Sequence, residues 1–370
     1  MGKKWISALT ASPDTELVGL VDLNLAAAEA ALREAGLQNV ATGTSVTEVA
    51  TATAAQAVVN VTVPVAHHPT NVEALFAGLP VLCEKPVAPT VSQGLSLAAA
   101  AEVSGQLLMI SQSRRYYRDL ADLKEQMPSL GDVGIVTTEF FKAPHFGGFR
   151  EEMEHVLLVD MAIHAFDVAR YLLDQEPVSV YCEEYNPSWS WYAGNAATTA
   201  VFEFGGGARY IYTGSWCSPG LETSWNGNWR ISGAHGTARW DGENPAVVER
   251  PGDDNPLPSA RESTGSREAE EIAGSLAEFV SALRSGATPS GEVHSNVLSL
   301  AMVEAAVLSA EKKERVNIGQ ILESAYTDAI NAETLPAVKE VLLAWTSVSK
   351  LLVNKSREES LARLTGSSSL

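Results

Sequence analysis

Four short apolar runs punctuate the first third of the chain, at residues 17–21, 57–63, 80–83 and 107–111, with helical stretches between them. The run at 17–21 is unbroken by polar residues, the pattern of a strand buried on both faces, and the run at 57–63 is β-branched. The intervening helices are predicted at 25–35, closed by Gly36, at 69–77, closed by Gly78, and at 91–104. Strand–helix units of this length leave one economical solution, a parallel sheet with right-handed crossovers. The series opens on a helix, 3–11, ended by Ser12-Pro13-Asp14. It therefore starts one strand later than a complete unit would.

Beyond about Arg118 the pattern changes. A strand at 135–141 and a long helix at about 156–173 precede strands at 178–184, 198–204, 208–216, 229–232 and 237–240. Gly205-Gly206-Gly207 reads as a hairpin turn between two of them. Strands joined directly imply an open, mainly antiparallel sheet. Residues 250–267 form a Pro/Ser/charge-rich loop, helices follow at 268–285 and 294–312, and more helix is expected from Gly319 to a frayed end at 366–370. The expectation is an α/β domain over 1–118, an α+β domain over 119–318 and a helical extension over 319–370.

Composition excludes several classes of function. Lys and Arg number 26 against 45 Asp and Glu, a net charge of −19, so a nucleic acid or an acidic membrane would be repelled. No signal peptide and no apolar run long enough to span a membrane are expected. The three cysteines, Cys83, Cys182 and Cys217, are far apart and form no CxxC, which removes a disulfide framework and a zinc ribbon and points to reduced thiols in the cytoplasm.

Two segments could carry chemistry. Glu84-Lys85-Pro86 follows a buried strand, and in open α/β sheets the carboxyl ends of strands face the ligand crevice. A lysine there can bind a hydroxyl or donate a proton; an ordinary solvated loop lysine is the alternative. The helix at 156–173 is apolar nearly all round, yet it carries Asp160, His164 and Asp167 at i, i+4 and i+7, on one face. An unpaired carboxylate or imidazole there would cost several kcal/mol, so these groups should be partnered or line a cavity. An Asp–His pair suits a general base near neutral pH; a purely structural pair is the alternative. His67-His68, His145 and His155 lack the spacing of metal ligands, and no metal site is expected. Trp189, Trp191, Tyr192, Trp216, Trp225 and Trp229 could stack on a sugar ring or fill a core.

From about Gly2 to Ile318 the chain resembles the glucose–fructose oxidoreductase, inositol dehydrogenase and MocA-type (Gfo/Idh/MocA) family. The stretches that carry the resemblance are Glu-Leu-Val-Gly-Leu-Val-Asp22, Pro64-x-x-x-His68 and Ala-Leu-Phe-Ala-Gly78-Leu-Pro-Val-Leu-Cys-Glu84-Lys85-Pro86. Gln112-Ser-Arg-Arg115-Tyr116, Gly131-Asp-Val-Gly134, Asp160-Met-Ala-Ile-His164-x-x-Asp167 and Ser232-Gly233-x-x-Gly236-Thr237 complete the set. The order and spacing of these stretches are more specific than any one of them.

The resemblance implies a Rossmann domain followed by an open antiparallel sheet, with a polyol or sugar substrate on one face and a dimer or tetramer contact on the other. It implies Lys85 as the lysine on the reacting hydroxyl, His164 as general base and Asp160 as its orienting partner. Asp22 would accept from the adenosine ribose, favouring NAD over NADP. Gly2, Pro64, His68, Glu84 and Arg115 would be further cofactor or substrate contacts. Val63 and Val65 depart from the family, which often has Thr and a polar residue there. No Gly-x-Gly-x-x-Gly lies near the N-terminus; Gly2 aligns with its last glycine, 20 residues before Asp22, and the first strand with the rest of the fingerprint would lie upstream of Met1. The leading expectation is an NAD(P)-dependent dehydrogenase of a secondary alcohol on a sugar, sugar derivative or cyclitol, with weak or no NAD binding by these 370 residues. The alternatives are a non-catalytic sensor or scaffold and an NAD-assisted glycoside hydrolase.

Overall fold

The early apolar runs become short strands, each parallel to its neighbours: β1 (Gly19–Val21), β2 (Ala41–Gly43), β3 (Val58–Asn60), β4 (Val81–Glu84) and β5 (Leu108–Ser111). They form two sheets, β1-β2 and β3-β4-β5, with no hydrogen-bonded pairing between β1 and β3. The computed structural model describes residues 1–252 and 269–366; most of the loop expected at 250–267, and the end at 367–370, lie outside the described residues.

β4 and β5 are buried along their whole length, which is why they read as unbroken apolar runs. The helix Val91–Ser104 is buried nearly all round, with Val91, Leu95, Leu97 and Ala98 fully buried, and it packs on the helix Pro64–Phe76. Its ends follow simple capping chemistry: Thr90 accepts from the Gln93 amide at 3.3 Å, and Gly105 takes φ +65°. One expected helix differs in extent. It runs Pro64–Phe76 rather than 69–77, with Pro64 in its first turn, where a missing N–H costs nothing, and Pro69 inside. Between β1 and β5 two elements were not anticipated, β2 and the helix Val46–Thr53, the latter capped by Ser45 Oγ on the Glu48 amide.

The compact unit built on these strands gathers Met1–Ser113 with Glu268–Val297 and Ser324–Leu370, so its limits are not those of the segments expected at 118 and 318. The helix Glu271–Ser285 packs on Gly2–Ala11 and β5, and Pro336–Ala344 packs on Val91–Ser104. Ser96 Oγ donates to Glu333 Oε2 at 2.6 Å, and Arg284 to Asp14 at 2.7 Å. The C-terminal helices are thus part of the first unit's core, with Val338, Leu342, Val348 and Leu352 fully buried.

The second unit, Arg114–Arg267 with Leu298–Glu323, is built on an eight-stranded sheet. Its strands are β6 (Val133–Phe141), β7 (Pro177–Tyr185), β8 (Ala197–Phe204), β9 (Arg209–Ser215), β10 (Asn228–Gly233), β11 (Gly236–Trp240), β12 (Val247–Glu249) and β13 (Val316–Asn317). The order is β12-β11-β10-β6-β9-β8-β7-β13, antiparallel except for the β6–β9 pair. The triple glycine makes the β8–β9 turn as expected, Gly207 taking φ +90° and donating to Phe204 O at 2.8 Å. Alternation along the strands divides the faces. Val136, Thr138, Phe140, Phe202, Tyr210 and Tyr212 point to the core, where Phe166 of the helix Ile163–Leu173 meets Phe202, Tyr210 and Tyr212 edge-on. The opposite face mixes Ile135, Ile211 and Val201 with Glu139, Arg230 and Arg239.

The helix Val293–Lys312 corrects one expectation. By length and composition it could cross a membrane, but it is mostly buried inside the protein, so core packing accounts for its apolar character.

Candidate functional site

In the first unit, the candidate residues collect at the carboxyl ends of parallel strands, where helices begin and ligands bind in open α/β sheets. Asp22 follows β1, is exposed, and turns its Oδ1 onto the Asn24 amide at 2.8 Å. Pro64 opens the helix after β3, flanked by exposed Val63 and Val65. Glu84 ends β4, and Lys85, half-buried, follows it with a cis bond to Pro86. Gly2 opens the helix Gly2–Ala11, whose first turn has neither a side-chain cap nor an acidic residue.

The structure employs two of these candidates internally. Glu84 is 8% exposed; its Oε1 accepts from Trp5 Nε1 at 2.7 Å and its Oε2 from the Lys85 amide at 3.3 Å. The carboxylate therefore ties the first helix to the end of β4. His68 meets Ser96 Oγ at 3.0 Å through Nε2, on the helix Val91–Ser104. The neighbouring His67 is the more deeply placed of the two, with Nδ1 2.7 Å from Pro86 O and Nε2 3.1 Å from Thr62 O. Burial pulls its pKa below the usual histidine value, against the two carbonyls, which favour a second proton. It buttresses the turn that presents Lys85, a role sequence spacing could not reveal.

In the second unit, the apolar segment around Asp160 and His164 is helical but not uniformly so. Leu157–Ala162 is a π-helical stretch and Ile163–Leu173 an α-helix, an arrangement frequent at functional sites. Asp160 accepts from Arg150 Nε at 2.7 Å. His164 lines a narrow pocket together with Arg114, Met161, Tyr212, Trp225, Trp229 and Trp240.

Asp167, expected on the same face as His164, goes elsewhere. Three residues along an α-helix turn a side chain by about 60°, enough to reach a different neighbour. Asp167 takes a two-pronged contact from Arg115, Nε and Nη2 each at 2.8 Å, and accepts from Ser299 Oγ at 2.7 Å. Both charges are almost wholly buried, and despite the burial Arg115 holds the Asp167 carboxyl below its usual range. Arg115 is thus committed to the core and is not presented to a ligand, contrary to its expected role. Its neighbour Arg114 is the arginine on the pocket wall.

The aromatic candidates divide similarly. Trp225 and Trp229 line the pocket, joined by Trp240, which was not singled out from the sequence. Trp216 and Tyr192 are buried in the core, Trp191 stacks on His145 at 3.8 Å, and Trp189 donates to Cys217 O. His155 pairs with Glu184 at 2.5 Å, which raises the imidazole's pKa, while burial raises that of the carboxyl.

A dinucleotide fits the first unit in part. Asp22 is an exposed carboxylate just after β1, the place where such folds hold a ribose acceptor, and β3 and β4 likewise end in the segments that carry Pro64 and Lys85. No glycine-rich fingerprint precedes Asp22 in the sequence, so the pyrophosphate cradle is not represented among these residues.

Comparison with known proteins agrees with this division. Residues 1–112 match the family described as oxidoreductases with an NAD-binding Rossmann fold, and residues 128–239 match the GFO/IDH/MocA C-terminal domain. The chain is 26% identical to the uncharacterized protein y4oX of Sinorhizobium fredii, over 87% of this chain and 94% of that one. It is 24% identical to inositol 2-dehydrogenase of Rhizobium meliloti, over 86% and 96%. Among solved structures, an oxidoreductase from Agrobacterium radiobacter in complex with NAD+, L-tartaric acid and magnesium shares the fold, with TM-score 0.78, 20% identity and coverage of 87% and 96%.

Proposed function

Because the chain belongs to the oxidoreductase family with an NAD-binding Rossmann fold and a GFO/IDH/MocA C-terminal domain, we propose that it is a dehydrogenase for a secondary alcohol on a sugar, sugar derivative or cyclitol. The observation that carries this reading is His164 set in an aromatic pocket of the sheet unit, in a chain whose other unit is an NAD-binding fold. The likeness to inositol 2-dehydrogenase of Rhizobium meliloti supports the polyol class of substrate.

In this reading His164 removes the proton from the reacting hydroxyl. Lys85 holds the same oxygen and stabilises the charge that grows on it as the proton leaves. Asp160 keeps the imidazole oriented. The nicotinamide, when bound, supplies the hydride acceptor. Asp22 would hold the adenosine ribose, and its negative charge would disfavour the additional phosphate of NADP. The enzyme works in the cytoplasm, where Cys83, Cys182 and Cys217, all buried and unpaired, stay reduced.

The test is a screen of polyols, inositols and aldoses for steady NADH formation, followed by Lys85→Ala and His164→Ala on the best substrate. Each variant should lower kcat by roughly 10²–10⁴-fold with a much smaller change in KM. Near wild-type turnover in either variant would remove that residue from the chemistry, and product formed without net NADH would favour a hydrolase.

A further inference from the structure

The pocket around His164 holds a cation that the proposed proton transfer does not use. Arg114 lines it, and among the described residues no carboxylate pairs with its guanidinium. Its Nη1 donates to Tyr117 Oη at 3.1 Å, while its Nε is buried with no acceptor among the described residues. Among the described residues no acceptor meets the Nε–Nη2 edge, the planar two-donor fork that matches a carboxylate. Arg115 displays this match in the adjacent core, where the same edge of its guanidinium grips Asp167.

The rest of the pocket wall is consistent with a polar, multiply hydroxylated ligand. Tyr212 Oη, Trp240 Nε1 and Asn226 Oδ1 belong to residues that line it and are buried without hydrogen-bond partners among the described residues. They offer a hydroxyl, a donor and an acceptor in one place, framed by the ring faces of Trp225 and Trp229. Buried polar atoms are normally satisfied, so several unsatisfied together beside an unpaired arginine mark a surface shaped for something the protein does not itself contain.

We propose that Arg114 reads a carboxylate on the substrate, so that the alcohol oxidised at His164 belongs to an acidic sugar derivative of the aldonate or uronate class. This rests on the dehydrogenase reading and narrows its substrate. The net charge of −19 makes the assignment more demanding, because an anionic ligand must be attracted locally against the field of the whole molecule. An unpaired guanidinium supplies that local attraction.

The experiment measures binding directly. The full chain is titrated, with and without NADH, against D-gluconate and D-glucitol, D-glucuronate and D-glucose, and D-galacturonate and D-galactose. Heat and tryptophan fluorescence are both followed, since Trp225, Trp229 and Trp240 line the pocket. At least one acid should bind about tenfold or more tightly than its neutral counterpart, and Arg114→Met should reduce that ratio to within about twofold. Arg114→Lys keeps the charge but loses the fork; it should lose most of the preference and carries the test if the Met variant does not fold. The proposal is overturned if no acid is preferred in any pair, or if the preference survives loss of Arg114. It is overturned equally if D-glucose 6-phosphate gains as much as D-glucuronate, which would mean charge alone is read. An Arg114-dependent acid preference supports the carboxylate contact whether or not NADH forms, because binding is read separately from turnover. NADH formation from neutral sugars, with acids not preferred, would overturn the carboxylate contact and leave the dehydrogenase reading standing.

Discussion

At the scale of residues, adjacent positions divide between the core and the pocket wall. Arg115 and Asp167 form a buried ion pair reinforced by Ser299, and Arg170 joins the same network through Ser299 and Glu176. Removing one partner of a buried pair strands the other charge, which typically costs about 3–5 kcal/mol. Asp167→Ala should lower the free energy of unfolding by that much, and pairing it with Arg115→Met should recover part of the loss; urea titration checks both. Because the Asp167 pKa is depressed, its contribution is complete above the ordinary carboxylate range and fades as pH falls through the folded value. His164 and Lys85 were legible in the sequence as polar residues where an apolar helix and an apolar strand would not otherwise admit them. The separate roles of Arg114 and Arg115 were not. They are neighbours in one 3₁₀ turn, and only tertiary placement sends one into the core and the other to the pocket wall.

At the scale of elements, the long helices were readable and the shortest pieces were not. Val91–Ser104 has a threonine cap, a closing glycine and a run of small apolar residues, and its limits follow from these. β2 has three residues and no apolar core of its own, too little periodicity to register. The start at Pro64 was missed because a second proline, Pro69, reads as a helix breaker; inside the helix it forfeits only the bond to the carbonyl of exposed Val65. One junction between helices has a measurable signature. His294, beside the start of Val293–Lys312, lies 2.8 Å from both Glu102 and Glu292. Burial lowers its pKa, but the two carboxylates outweigh it and raise the value to about 9. A raised pKa adds stability that is whole below about pH 6.5 and is lost as pH climbs through the folded value. Wild type should therefore lose up to about 3 kcal/mol between pH 6.5 and 9.5 that a His294→Asn variant does not. Thermal denaturation of the two proteins across that range checks the difference.

At the scale of the whole molecule, the class of fold was visible from the alternation of strands and helices, whereas the path of the chain was not. Residues 319–370 read as an extension because helices of that length carry no local sign of what they cover. In the structure Ser324–Leu370 belongs to the first unit, and Pro336–Ala344 lies on Val91–Ser104. A chain ending at residue 318 would expose that helix and leave Ser96 without Glu333. Such a protein should show a melting temperature lower by about 10 °C or more, or fail to stay in solution, since several fully buried apolar side chains at about 1.5–3 kcal/mol each would be lost. Calorimetry on the shortened chain decides this.

The interleaved path also sets an order of assembly on the ribosome. The sheet-bearing second unit has all its residues once Glu323 has been made, whereas the first unit, begun at Met1, still needs Val338 through Leu352 to seal its core. At about 5–20 residues per second, the interval between emergence of β5 and arrival of those last helices is on the order of tens of seconds. Throughout that interval the helix Val91–Ser104, buried nearly all round in the finished protein, awaits the cover of Pro336–Ala344. The half that leaves the ribosome first is the half that closes last, and it is the half most in need of a chaperone.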